Sequence, residues 1–226
     1  METLIYPEIF GKKVKAFFTG KVPGADFGRL AQLALLDKKN IYLPIQKHTD
    51  KVIMLDSSLD PKIGDAVITS RKDILVGVQA ADCVPILLYD RVSGVAGAVH
   101  AGWRGTAAEI FKKSIHTMMD RYHSSPTEVL VAIGPSIRWC CYHVGYEVIE
   151  AMKGTTGKGE YVVNRGGKYF LDLATANKYQ ALSMDVPPDN IWMSDECTFC
   201  LTEKYYSYRF AKGPTGRQGG FIRILP

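Results

Sequence analysis

Apolar residues in this chain arrive in short, β-branched runs, too brief to cross a bilayer and too regular to be loops. Positions 14–18, 52–55, 66–69, 74–78, 84–89, 95–99, 129–133 and 221–225 each hold one. Their length and β-branched content predict a strand at each. Val84-Pro85-Ile86-Leu87-Leu88-Tyr89 is apolar at every position. That is the pattern of a strand covered on both faces by helices or by a second sheet.

Helical periodicity separates some of these runs. After Arg104-Gly105-Thr106, the residues Ala107, Ile110, Phe111, Ile115, Met118, Met119 and Tyr122 fall on one face, with Thr106 placed to cap the helix start. Further helices are expected near 27–36, 145–152 and 171–184. Strands and helices are interspersed, so the predicted class is mixed α/β. The glycine-rich stretch 154–159 reads as a surface loop. Too little chain follows it for a confident second domain, so a single domain over 1–226 is expected. At 46% hydrophobic residues, a chain of this length can fill one core.

Composition narrows the function. The N-terminal residues lack a basic segment followed by an apolar one, which predicts no signal peptide and a cytoplasmic protein. The net charge of +5 comes from interspersed signs without a lysine or arginine run. Neither a nucleic acid nor a membrane is expected as partner, although a mild positive excess helps a cleft collect anions. Five cysteines, Cys83, Cys140, Cys141, Cys197 and Cys200, form an odd set in a chain with no sign of export. Metal binding or a reactive thiol fits better than a disulfide framework.

Two stretches place reactive residues at strand ends. Run 74–78 leads through Gln79-Ala80-Ala81-Asp82-Cys83 into run 84–89, and run 95–99 ends in His100-Ala101-Gly102-Trp103-Arg104-Gly105. Strand ends hold side chains rigidly while exposing them to a cleft. Upstream, His48 lies in Gln46-Lys47-His48-Thr49-Asp50. Taken singly, each histidine could be a surface residue and Cys83 a small buried hydrophobe. Together, two imidazoles and a thiolate suit Zn²⁺, with one coordination position left open. The guanidinium fork of Arg104 suits phosphate and equally suits a carboxylate partner. Glycines 102 and 105 permit close approach of a ligand, and the N–H groups of the helix start favour an anion.

These ordered motifs resemble the YfiH/YlmD-type proteins, a family described both as laccase-domain multicopper polyphenol oxidases and as purine nucleoside phosphorylases with adenosine deaminase activity. The resemblance runs from about Gln46 to the C-terminus. Its further landmarks are Ala81-Asp82-Cys83-Val84-Pro85, Gly134-Pro135-Ser136-Ile137, Cys140-Cys141-Tyr142, Cys197-Thr198-Phe199-Cys200, Tyr206-Ser207-Tyr208-Arg209 and Thr215-Gly216-Arg217-Gln218. The family commonly has two arginines after the Ser-Tyr pair; here Arg209 is followed by Phe210.

The resemblance implies a layered αββα sandwich with mixed sheets and zinc held by His48, Cys83 and His100, with copper as an alternative occupant. It implies phosphorolysis of adenosine, inosine and S-methyl-5′-thioadenosine, and deamination of adenosine. The catalytic set is then His48, Cys83, His100 and Arg104. Lys47, Arg104 and Tyr142 are candidate substrate or phosphate contacts, and Trp103, Tyr142 and Tyr206 read either as plain core or as stacking candidates for a purine. Asp82 is a candidate proton carrier or a residue that orients the ligand Cys83, although strand alternation turns it away from Cys83.

Other readings stand beside this one. Cys83 and His100 could serve a cysteine hydrolase, or the editing of cell-wall precursors to which the family is linked. A non-catalytic zinc module would close the site with Cys141 or His143 as a fourth ligand. Five histidines cannot build the several copper centres of a full multicopper oxidase. Cys197-x-x-Cys200 with Cys140 and Cys141 reads as packed thiols, with a zinc ribbon or a redox motif as alternatives.

Overall fold

The strand-sized runs fold into two sheets laid face to face in a computed structural model that describes residues 2–226. The strands are β1 (Leu4–Ile5), β2 (Val14–Thr19), β3 (Ile41–Tyr42), β4 (Val52–Met54), β5 (Ala66–Thr69), β6 (Leu75–Ala80) and β7 (Val84–Asp90). They continue with β8 (Val95–Ala101), β9 (Val129–Ile133), β10 (His143–Val144), β11 (Val162–Arg165), β12 (Lys168–Leu171), β13 (Ile191–Met193) and β14 (Gln218–Ile224). The helices are α1 (Phe27–Ala34), α2 (Trp103–Ala107), α3 (Ile110–Tyr122), α4 (Tyr146–Thr156), α5 (Leu173–Ser183) and α6 (Tyr208–Ala211). Among the described residues no helix is long and apolar enough to cross a membrane.

One sheet has the order β13-β9-β7-β8-β5-β4, the other β1-β2-β14-β6-β3, and a small third sheet has the order β10-β12-β11. The centre of the six-stranded sheet is antiparallel, whereas β4–β5 and β9–β13 at its edges are parallel. The expected mixed sheets are therefore present.

Alternation along the strands sorts side chains into layers. In β7, Ile86 and Leu88 join the cluster under α3, α4 and α5, while Leu87 and Tyr89 enter the cluster between the sheets. In β8, Val95 and Val99 face the helices and Ala96 and Ala98 face the other sheet. Beyond the five-stranded sheet, Phe17, Leu75 and Phe221 pack on Leu30, Ala31 and Ala34 of α1. The layers run helix, sheet, sheet, helix. Every residue of β7, β8 and β9 is buried, as apolarity on both faces required.

The same alternation positions the reactive residues. His100 shares parity with Ala96 and Ala98, Cys83 with Pro85 and Leu87, and Asp65 with Val67. His100 therefore faces the gap between the sheets at its open end, and Asp65 and Cys83, each one residue before its strand, meet it there.

Several elements depart from expectation. The helix expected from Ala107 is two: Gly102 caps α2, and Glu109, at φ 61°, breaks the chain before α3 starts at Ile110. Thr106 is thus no helix cap. It is buried inside α2, its Oγ1 accepting from Asn177 Nδ2 at 3.1 Å and its carbonyl from Gln180 Nε2 at 2.9 Å, which ties α2 to α5. The loop expected at 154–159 is helical through Thr156. The hairpin β11–β12, joined by Gly166 and Gly167 at φ 56° and 76°, went unpredicted. Both its central residues need positive φ, which glycine supplies without strain.

Candidate metal centre

Three segments converge at the open end of the gap. Cys83 sits on the turn between β6 and β7, His100 near the end of β8, and His48 on the loop before β4. One donor atom from each lies within 4.8 Å of the others, and Cys83 Sγ is 3.9 Å from His48 Nε2. The imidazoles meet edge to face with centroids 5.0 Å apart. His100 is 4% exposed, Cys83 is half-buried and His48 is exposed, so the cluster opens on the His48 side.

Asp65, which precedes β5, organises this arrangement. Its Oδ1 accepts from His100 Nδ1 at 2.9 Å and from the His48 amide at 3.0 Å. Its Oδ2 accepts from the Thr49 amide at 2.7 Å, from Thr49 Oγ1 at 2.8 Å and from the Lys47 amide at 3.2 Å. One buried carboxylate thus fixes the ring of one histidine and folds the loop carrying the other. That loop holds His48 at φ 57°, a left-handed conformation uncommon outside glycine. With Nδ1 engaged, His100 presents Nε2 to the cluster, the tautomer that carboxylate–histidine–metal sites use.

The electrostatics follow from proximity. Burial pushes the Cys83 thiol up, but the charge and hydrogen bond of His100, aided by His48, pull it down to about 6. Burial lowers His100, yet Cys83 and Asp65 raise it to about 9. Burial raises Asp65, and its bonds to His100 and Thr49 outweigh that, holding it well below the usual carboxylate range. The donors also fit a metal sterically. A Cβ added to Gly102 would lie 3.0 Å from Cys83 Sγ and 3.2 Å from His48 Cδ2, so glycine there keeps the space beside both donors free.

Around the cluster lies a cleft of about 680 Å³, within the usual range for small-molecule sites. Trp103, Arg104, Tyr142, Tyr208, Arg209 and Arg217 line it with the three donors. Arg104 lies 4.3 Å over the Trp103 ring, and Arg209 lies 5.0 Å over the Tyr142 ring while donating to His143 O at 2.9 Å. Burial, followed by the nearby Cys83 charge, pushes the Tyr142 phenol up to about 12.

Of the residues read from sequence, His48, Cys83, His100, Arg104, Trp103 and Tyr142 share this cleft. Lys47 and Tyr206 are not among its lining residues. Asp82 reaches the wall, but both its oxygens are occupied: Oδ1 accepts from Thr198 Oγ1 and Oδ2 from the Arg209 amide, each at 2.7 Å. It lies outside any strand, at φ 87°, so strand alternation does not govern where it points. Cys141 and His143 are not in the cluster.

Comparison with known proteins fits this geometry. The family model described as multi-copper polyphenol oxidoreductase laccase matches residues 24–225. The chain belongs to this laccase-domain family. A Clostridium acetobutylicum relative named purine nucleoside phosphorylase is 39% identical over 178 residues, 78% of this chain and 74% of that one. Purine nucleoside phosphorylase YlmD of Geobacillus stearothermophilus is 37% identical over 161 residues, 70% of this chain but only 59% of that relative. A crystal structure of YlmD from the same species matches with a TM-score of 0.89 at 28% identity, covering 97% of this chain and 94% of that one. A relative from an unknown prokaryotic organism, named adenosine deaminase, is 34% identical over 193 residues, 80% of this chain and 73% of that one.

For a laccase-domain chain, histidine is scarce at the candidate centre: His116, His123 and His143 belong to neither group of metal-competent side chains among the described residues. The second such group is Cys140, Cys141, Cys197 and Cys200. Sequence reasoning missed Asp65 and did not single out Tyr208. Asp65 carried a signal, a lone acid directly before an apolar strand, but its partners lie far away along the chain. Arg209 and Arg217 stood in quoted motifs without a role.

Proposed function

We propose that this chain is a zinc-dependent purine nucleoside phosphorylase acting on adenosine, inosine and S-methyl-5′-thioadenosine, with adenosine deaminase activity. The observation that carries the proposal is the joint location, in one cleft, of an N,N,S donor set and three guanidiniums. His48, Cys83 and His100 would hold the zinc, leaving one position open. Bound there, the metal supplies Lewis acidity and lowers the pKa of what occupies that position.

The chain's own residues supply the rest. Phosphorolysis needs phosphate held in line with the anomeric carbon while positive charge develops on the sugar. Arg104, Arg209 and Arg217 offer cationic donors, and Asp82, the only carboxylate lining the cleft among the described residues, has both oxygens engaged. Positioning and charge stabilisation would then provide most of the rate. Tyr142 stays protonated through neutral pH, so it serves as a hydrogen-bond donor and does not give up its proton. Trp103 and Tyr208 offer apolar faces for the base. The relatives named phosphorylase and deaminase support the same pairing of chemistries.

The test is product analysis with adenosine. With phosphate, adenine and ribose 1-phosphate are expected; without it, inosine and ammonia. His48→Ala and Cys83→Ala should lose zinc and both activities. Wild-type turnover in either variant overturns the proposal.

One observation favours a second reading, a cysteine nucleophile: Asp65, His100 and Cys83 also form an acid–imidazole–thiolate relay. Alkylation of Cys83 in zinc-replete protein, with activity surviving removal of the metal, would select it.

A further inference from the structure

The four remaining cysteines, of which Cys197 is buried, Cys141 half-buried and Cys140 and Cys200 exposed, meet outside the residues that line the cleft. Cys140 and Cys141 lie on the turn after Arg138, and Cys197 and Cys200 on a second turn. Cys141 Sγ is 3.2 Å and Cys140 Sγ 3.6 Å from Cys200 Sγ, and one sulfur from each of the four lies within 4.8 Å of the rest. A tetrahedral Zn–S distance of about 2.3 Å sets sulfurs about 3.8 Å apart, close to the separations here.

Packing does not explain this convergence. Free cysteine is among the most buried residue types, yet Cys140 and Cys200 are exposed and their thiols still turn toward one another. Adjacent cysteines diverge on an extended chain. Here the turn is closed by Cys141 N and Tyr142 N, both donating to Arg138 O at 2.9 Å, and it swings both thiols to one side. The second turn is closed by Leu201 N on Cys197 O at 3.0 Å. The Arg138 amide points at Cys197 Sγ from 3.4 Å, an N–H directed at sulfur in the manner that supports a metal thiolate.

We infer that Cys140, Cys141, Cys197 and Cys200 form a second metal site, a closed tetrathiolate that binds Zn²⁺ structurally. Soft thiolates in tetrahedral array select zinc or iron. Four protein ligands leave no open position, so the site holds structure and carries no chemistry. It would staple the 138–142 turn to the 197–200 turn across 59 residues of chain. The first turn leads into Tyr142. The second carries Thr198, whose hydroxyl binds Asp82 beside Cys83. The metal would thus brace the wall of the cleft from behind.

The test is metal analysis of the full chain expressed with excess zinc. Wild type should carry two equivalents, and both Cys197→Ser/Cys200→Ser and His48→Ala/Cys83→Ala should carry one. Cobalt exchange needs no variant, and adding one equivalent of zinc should erase the intense sulfur-to-cobalt charge-transfer band of the four-thiolate site. One equivalent in wild type that His48→Ala/Cys83→Ala removes would overturn the inference. So would iron in place of zinc, or a thiol count in denaturant two short of five, which would mark a disulfide.

Discussion

Asp65 Oδ1 lies 2.9 Å from His100 Nδ1, and the same carboxylate gathers the amides of Lys47, His48 and Thr49. Asp65 therefore joins two of the three metal-competent donors without being one itself. Replacing it with Asn leaves the donors in place but removes the charge that sets the tautomer of His100. Zinc affinity of Asp65→Asn is expected to fall about 10–100-fold, read by competition with a chromophoric chelator.

The same residue makes a pH prediction. Its folded pKa is depressed, so its contribution to stability is complete above the unfolded value of about 3.9 and is lost as pH falls below it. Metal-free Asp65→Asn should be less stable than wild type by about 3–5 kcal/mol at neutral pH, because a buried charge loses its partner. Denaturant titrations from pH 7 to 3 should show that difference narrowing only at the acid end.

Cys83 should report its surroundings directly. With its thiol pulled down to about 6, metal-free protein is expected to gain thiolate absorbance with a midpoint near pH 6, well below the ordinary cysteine value of about 8.5. His100→Gln removes the largest opposing charge and should move the midpoint up. An unmoved midpoint would mean that His100 does not control the thiol.

The arginines should separate the two proposed reactions. Phosphorolysis needs an anion held in the cleft and deamination does not. Loss of a hydrogen bond to a charged partner costs about 1.5–3 kcal/mol. Arg104→Ala is therefore expected to raise the KM for phosphate by about 10–100-fold while deamination stays near wild type. Steady-state kinetics at varied phosphate would show this split, and equal losses in both reactions would count against a phosphate role.

The inner strands were legible in the sequence because each depends on local signals, whereas His48, Cys83 and His100 lie too far apart for spacing to join them and were read as a set through the family resemblance. Apolarity at every position of 84–89 announced a strand buried on both faces, and Cys83 at its start stood out against it. The short strands β3, β10 and β13 were hidden because two or three residues carry no period. The break at Glu109 was hidden because nothing in its neighbours requires positive φ. Asp65 and Thr198 escaped for a different cause, since the partners of Asp65 lie 16 to 35 residues away and that of Thr198 lies 116 away. Such roles come from the closing of the sheets and are written in no single segment.

Asp82 offers the sharpest contrast between what its neighbourhood suggests and what its contacts do. Beside Cys83 it reads as a proton carrier or as an orienting residue, and Thr198 and the Arg209 amide take up its two oxygens. A carboxylate so engaged braces the turn that presents Cys83 and seats the start of α6, where Arg209 enters the cleft. Asp82→Asn keeps the shape, with Oδ1 accepting from the Arg209 amide and Nδ2 facing the Thr198 hydroxyl, which must turn to accept; loss of the charge from both bonds costs about 1 kcal/mol in stability. Activity should fall through misplacement of Arg209, which raises the KM for phosphate, while the pH dependence of kcat keeps its wild-type midpoints. A proton carrier would behave otherwise: its loss removes one limb of the pH–rate profile and leaves substrate affinity largely intact.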